Sequence, residues 1–325
     1  MASRIKVAVV SLADGPEATS GASILACLDP MRYERFAVLT HPNESGAMRE
    51  GVCERVLRVP PLDDEGFVTA LVDLVSTEAI DQVLPGSAAA AICLAGCADI
   101  LLQADAALRL GNYNPADIGK LKQVALASRQ ALPSEPELHA FEGPWPLLLQ
   151  KADGSRRRAG DAWEAFRAHQ GLMRSNPAGS RAVFVEAVGW SSHGAFEVAL
   201  ISNDRGQALA AAAVRVLADD DHLRPWMAVT VDNEPLVHAA ARAALELQLA
   251  GPSQYLFRRD ERGFALVDGR PGLPLWIEVT QAGGPPLVEI LVGLGGDEDA
   301  PTLESLPCTP SGVLFSQTAE DVVLA

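Results

Sequence analysis

The sequence predicts an α/β protein: an N-terminal doubly wound parallel sheet followed by a two-lobed α+β region. Two observations carry this. Residues 1–111 alternate short apolar runs with helical stretches four times over, the pattern of a parallel sheet with crossover helices. From Asn112 onward, strands come in pairs joined by polar turns that end in glycine, the pattern of antiparallel hairpins. No internal repeat interrupts this order.

Each element has its own reason. Ile5–Ser11 is short, branched and nearly all apolar, which predicts a buried strand. A loop, Ser11–Gly21, leads to the helical stretch Ala22–Leu28. It lacks the Gly-x-Gly-x-x-Gly spacing of a dinucleotide loop and reads as a general crevice loop at the carboxyl end of a strand. Phe36–Thr40, Arg55–Pro60 and Asp81–Pro85 are the next three strands. Between them, Gly66–Thr77 places Phe67, Leu71 and Leu74 at helical spacing, and an Ala-rich helix runs from Ala88 to about Leu102. Pro115, Pro133 and Pro136 punctuate the next region, which includes a helix bearing Lys120 and Lys122. Trp145–Lys151 is a strand, Ala152–Gly160 a polar turn, Asp161–His169 helical, and Ala182–Val188 a strand. Asn203–Gly206 and Asp260–Gly263 are hairpin turns, flanked by Glu197–Ser202 with Ala208–Val216 and by Tyr255–Arg259 with Phe264–Val267. Asn233–Leu249 has a polar cap, Pro235 in its first turn and an Ala/Leu-rich body, so it is a helix. After Gly296 the tail is acidic and proline-rich, and no site is assigned to it.

Composition narrows the function. The 325 residues carry 26 Lys and Arg against 42 Asp and Glu, a formal charge of −16, which argues against nucleic acid or an anionic membrane as the main partner. Only four of the basic residues are lysines (Lys6, Lys120, Lys122, Lys151), so a lysine-dependent mechanism has few candidates. No apolar run reaches the roughly 18–20 residues of a membrane span, and the N-terminus lacks the pattern of a signal peptide. The scattered Cys27, Cys53, Cys93, Cys97 and Cys308 read as thiols of a reducing cytoplasm, with Cys93 and Cys97 as buried thiols in preference to a metal or redox pair. The six histidines show no zinc spacing, and no Gly-x-Ser-x-Gly elbow or Walker A loop occurs.

From about residue 5 to 296, the order of parts resembles the ATP-grasp superfamily, in its carbamoyl-phosphate-synthase-like carboxylate–amine ligase branch. Asp81–Gly86, Gly119-Lys120, Pro146–Ser155, Val183–Gly189, Gly251-Pro252 and Val267–Trp276 carry the resemblance, in that order. It implies a pre-ATP-grasp domain over 1–111, a small lobe or lid over 112–185 and a C-terminal lobe over 186–325. It also implies phosphorylation of a carboxylate by ATP with Mg, followed by attack of an amine or thiol. Such chemistry needs cations around the migrating phosphoryl group.

The resemblance places Lys120, Gln150, Lys151, Glu186, Val188, Glu197 and Arg215 around the nucleotide. Gln150 falls where a lysine is expected, and Lys151 lies one step along the strand, where side chains alternate faces. The flap that should hold small residues reads Ser155-Arg-Arg-Arg-Ala159; its arginines can bind an anion electrostatically, and a solvated turn is the reading preferred. Asp268 falls at the acidic metal ligand, but Arg270 falls at an asparagine and Leu256 (Gln254 in a longer hairpin) at the second acid. Arginine repels a cation and leucine cannot ligate one, so Asp268 and Arg270, two apart on one strand, can pair with each other instead.

Two functions follow as expectations. The first is a non-catalytic or substrate-holding subunit of a biosynthetic pathway, taking a small-molecule or peptide carboxylate, as a homodimer or beside an active homologue. The second is an active ATP-dependent ligase, with Lys120, Lys151 and Arg157 or Arg158 on the phosphates and Asp268 with Gln254 or Glu278 on Mg.

Overall fold

The computed structural model describes residues 4–14, 17–18, 20–41, 44, 51–108, 130–131, 147–151, 156–159, 163–165, 167–168, 183–187, 194–219, 225–260, 263–294 and 299–316. The N-terminal sheet is parallel. Strand β1 (Ile5–Val10) lies between β4 (Tyr33–Leu39) and β6 (Gln82–Pro85), with β5 (Arg55–Arg58) and β7 (Ala107–Leu108) outside them. A ribbon of β2 (Ala13–Asp14) and β3 (Glu17–Ala18) follows β1. Alternation along β1 explains the two coats of the sheet. Ala8 and Val10 face one core with Phe36, Phe67, Leu71 and Val75. Val7 and Val9 face another with Ile24 and Leu25.

Helices α1 (Gly21–Ala26), α2 (Phe67–Glu78), α3 (Ala88–Ala95) and α4 (Ala98–Gln103) complete this part. The Ala-rich stretch expected as one helix is two, broken at Gly96-Cys97; Gly96 is the C-cap of α3 and Cys97 the N-cap of α4. Ser87 caps α3 by accepting a hydrogen bond from the Ala90 N–H at 3.0 Å. Strand β4 begins three residues before the expected Phe36, because Tyr33, Glu34 and Arg35 pair with Ile5, Lys6 and Val7. Their charges hid the strand from an apolarity reading.

One ion-pair cluster here gives a pH test. Burial pushes the Glu54 carboxyl up, but the Arg35 N–H at 2.8 Å, the Arg35 guanidinium and Arg4 outweigh it, so the group lies below its ordinary value. A depressed carboxyl stabilises the fold above its unfolded pKa of about 4.3, and that contribution is lost as pH falls through the lower folded value. Glu54→Gln is therefore expected to lower the melting temperature at pH 7, with the gap to the parent closing below about pH 4. Thermal melts across pH 2.5–7 test this; a constant gap would contradict it.

A four-stranded sheet has the order β10 (Arg156–Ala159), β9 (Leu147–Lys151), β11 (Val183–Ala187), β8 (Gln130–Ala131). The expected turn over the arginines is corrected: Arg156–Ala159 is an edge strand, with Arg156 opposite Gln150 and Arg157 opposite Leu149.

The third sheet is antiparallel with the order β16 (Gly263–Pro271), β15 (Gly251–Asp260), β12 (Ala195–Ser202), β13 (Ala208–Asp219), β14 (Pro225–Thr230), β17 (Leu314–Ser316). Strands β14 and β17 were not expected from the sequence. Helix α5 (Glu234–Glu246), capped by Asn233 accepting from the Leu236 N–H at 3.2 Å, covers one face through Leu236, Ala240 and Ala244. The other face is covered by a 3₁₀ helix (Leu275–Gln281), helix α6 (Leu287–Gly293) and the N-terminal sheet itself. Val7, Val9, Ile24 and Leu25 share a single buried cluster with Ala199, Ile201, Trp276, Ile277 and Leu291. Arg32 pairs with Glu289 at 2.8 Å, and Gln281 donates to the Cys27 carbonyl at 3.3 Å across the same junction. A continuous apolar core with polar clamps at its rim fixes these two parts against each other.

Candidate functional site

The best-ordered cluster of candidate residues lies on the face of the antiparallel sheet that turns toward Trp276. In antiparallel pairs, opposite residues share a face. Glu197 of β12 stands opposite Leu256 of β15, and Leu256 stands opposite Asp268 of β16. The next row is Ala199, Gln254 and Arg270. A bulge follows Leu256: Phe257 pairs with Leu266, so β16 carries an extra residue beside Asp268.

Each acid on this face has a donor. Trp276 Nε1 donates to Glu197 Oε2 at 2.7 Å, with Trp276 fully buried and Glu197 5 % exposed. Arg270 Nε donates to Asp268 Oδ2 at 2.8 Å, with Asp268 3 % exposed. The ion pair that residue spacing allowed is thus present.

A divalent ion does not fit this donor set. Glu197 and Asp268 are two strands apart, about 10 Å at the usual strand spacing, and the hydrocarbon of Leu256 stands between them. Magnesium needs converging oxygen ligands. The Arg270 cation already pairs with Asp268. At about 4 Å and an effective dielectric of about 20, a second cation of charge two would be repelled by about 8 kcal/mol, twice the unit-charge value. Among the described residues, no group of three His, Cys, Asp or Glu side chains is placed to hold a metal.

The other sequence candidates fall elsewhere. Arg215 pairs with Phe196, and Phe196 packs on the α5 side, so Arg215 lies on the opposite face of the sheet from Glu197 and Asp268. Gln150 and Lys151 are successive residues of β9, opposite Phe184 and Val183. Glu186 is opposite Leu148 in the same sheet. Lys120 and Val188 lie outside the described residues. Glu278, weighed as a metal ligand on an apolar strand, is instead in the 3₁₀ helix. Its charge helps to raise the Cys27 thiol of the N-terminal part.

At the carboxyl end of the parallel sheet, among the described residues, one buried acid ties the loops together. Glu44, 2 % exposed, accepts from the Leu12 N–H at 3.0 Å and from the Thr40 N–H and hydroxyl at 3.1 and 2.8 Å. Nothing in the local sequence pattern singles out Glu44. Trp276 was legible as part of a motif, but its bond to Glu197 was not.

Thiol chemistry separates two cysteines. Burial, then Glu278, pushes the Cys27 thiol up to about 12. Cys308 is exposed beside a cavity of about 90 Å³ lined by Asp232 and Glu234, and burial of part of its thiol and then these acids raise it less. A maleimide at pH 8 is expected to label Cys308 and leave Cys27 unmodified in the folded chain. Peptide mass mapping reads this out, and prompt Cys27 labelling would contradict it.

This architecture, a doubly wound parallel sheet joined to a two-lobed α+β region, is the ATP-grasp fold. Solved structures match it over most of its length. The biotin carboxylase domain of Hydrogenobacter thermophilus 2-oxoglutarate carboxylase, solved as a dimer with MgADP, ADP and bicarbonate, is 14 % identical, with 91 % of this chain and 71 % of that one covered at a TM-score of 0.62. Campylobacter jejuni biotin carboxylase in a β,γ-ATP complex is 13 % identical, with 93 % and 73 % covered at 0.63. L-amino acid ligase from Bacillus licheniformis is 10 % identical, with 90 % and 74 % covered at 0.58. At such identities the likeness is one of fold. No protein-family model matches the sequence, and no curated protein matches it. Among the described residues, no helix is long and apolar enough to cross a membrane.

Proposed function

We propose that this protein uses an ATP-grasp cleft to hold an adenine nucleotide or a carboxylate ligand without transferring phosphate, as a non-catalytic subunit of a biosynthetic pathway. The single observation that carries this is the row Glu197–Leu256–Asp268 with Arg270 on Asp268. A migrating phosphoryl group needs a divalent ion and lysines around it, and this row supplies an arginine and a leucine. The scaffold around it is intact, with its strands paired and its core closed. Loss concentrated where the chemistry would sit, on a preserved frame, favours retained binding over general decay. The neighbours solved with ADP, ATP or bicarbonate supply the ligand classes to try.

The test pairs thermal shift with phosphate release. ATP is expected to raise the melting temperature equally in EDTA and in excess Mg, and no ADP should form with carboxylates and amines supplied. Mg-dependent ADP formation would sink the proposal in favour of an active carboxylate–amine ligase. No shift with nucleotide or carboxylate at millimolar concentration would also sink it.

A further inference from the structure

The donors that this sheet face leaves over point to a ligand group. Arg270 gives its Nε–H to Asp268, and its terminal nitrogens make no hydrogen bond or ion pair among the described residues. Its side chain is 23 % exposed and that of Asp268 only 5 %, so the guanidinium is anchored on a buried carboxylate while its own side chain keeps part of its surface exposed. Gln254 stands directly opposite Arg270 on the neighbouring strand, half-buried, and its amide makes no hydrogen bond among the described residues either. Opposite residues bring their Cβ atoms to about 5 Å, so an amide donor and an open guanidinium fork sit side by side.

We propose that Arg270 and Gln254, with Asp268 behind them, form a metal-independent oxyanion receptor for a carboxylate or phosphate group of the ligand. This rests on the reading above that the cleft holds a ligand. Three features favour it. A planar guanidinium matches two oxygens at once, as an ammonium does not. Its ion pair with Asp268 fixes the side chain beforehand, so little side-chain freedom is lost on binding. Leu256, buried in the next row, excludes water from one side of the site, which strengthens charge-assisted hydrogen bonds. Glu197 would repel an anion, but it lies two strands from Arg270 and already accepts from Trp276, whereas the guanidinium meets the anion at contact distance. Asp268 is a positioning residue in this arrangement.

Calorimetry on the full chain in EDTA, with ATP, adenosine, inorganic phosphate and succinate as probes, tests it. Arg270→Gln is expected to weaken the oxyanion probe at least tenfold. Gln254→Ala should weaken it severalfold. Because Arg270→Gln takes a cation from a buried carboxylate, the double variant Asp268→Asn/Arg270→Gln keeps the pair neutral, and it should show the same loss while melting cooperatively. Losses for ATP and phosphate with adenosine unchanged identify a phosphate; a loss confined to succinate identifies a carboxylate. Equal loss for adenosine, no loss in either Arg270 variant, or binding that appears only with Mg would overturn the receptor. A chain that ignores ATP but loses succinate affinity with Arg270 keeps the receptor and fails the nucleotide part of the proposed function. ATP bound equally by parent and variants does the reverse, and no binding of any probe ends both.

Discussion

Trp276→Ala is expected to lower the unfolding free energy by about 3–5 kcal/mol, the range for emptying a large aromatic site. Trp276 is fully buried in the cluster that joins the N-terminal sheet to the antiparallel one, among residues such as Val7, Ile24, Ile201 and Leu291. Its ring is therefore part of the joint between two sheets as well as part of one core. Its indole N–H is also the donor to Glu197 at 2.7 Å. Removing it takes one charge-assisted hydrogen bond from a nearly buried carboxylate, a cost of about 1.5–3 kcal/mol on its own. Trp276→Phe separates the two terms: it restores most of the packing and none of the hydrogen bond, so its loss should be smaller, at about 2 kcal/mol. Urea unfolding of both variants reads the result. A loss under about 1 kcal/mol for the alanine variant would mean that the joint is not closed by this residue.

The second large effect comes from a single methyl group. A Cβ on Gly86 would lie 2.1 Å from the Ser11 carbonyl oxygen and 3.0 Å from the Gly21 Cα, both backbone atoms. Ser11 already holds a φ of 63°, so it has little room to retreat. Gly86→Ala is expected to cost about 3 kcal/mol, the upper end for overpacking. Gly293 is the control: nothing lies within 4 Å of its added Cβ, and it ends a helix. There alanine should be neutral or stabilising by up to about 1 kcal/mol. Thermal or urea unfolding of the pair should therefore give opposite signs, and equal effects would contradict the packing at the end of β1.

Legibility in the sequence followed physical range. The parallel sheet was readable because buried strands are apolar throughout, as Val7–Val10 are. The hairpins were readable because their turns need particular residues, as at Asn203–Gly206, where Gly206 has a φ of 74° and Asn203 Oδ1 accepts from Arg205 and Gln207. Strand β14 was missed because Pro225, Trp226 and Met227 do not alternate cleanly, and two register shifts in its pairing with β13 break the period further. Of the site, the Asp268–Arg270 pair was within reach because two residues on one strand face are neighbours in sequence as well as in space. The Trp276–Glu197 bond joins positions 79 apart, and Glu44's hold on Leu12 spans 32. No local pattern encodes either. The face on which Arg215 falls depends on pairing register, which hydrophobic spacing alone leaves open.

The central claim is that the cation on Asp268 is a guanidinium. Crystals of the full chain soaked with ATP and manganese test it most directly, because manganese scatters anomalously and binds in place of magnesium. The account predicts Arg270 Nε still on Asp268 and no anomalous peak within about 2.5 Å of that carboxylate. A manganese ion bridging Asp268 and the triphosphate, with Arg270 swung aside, would contradict it.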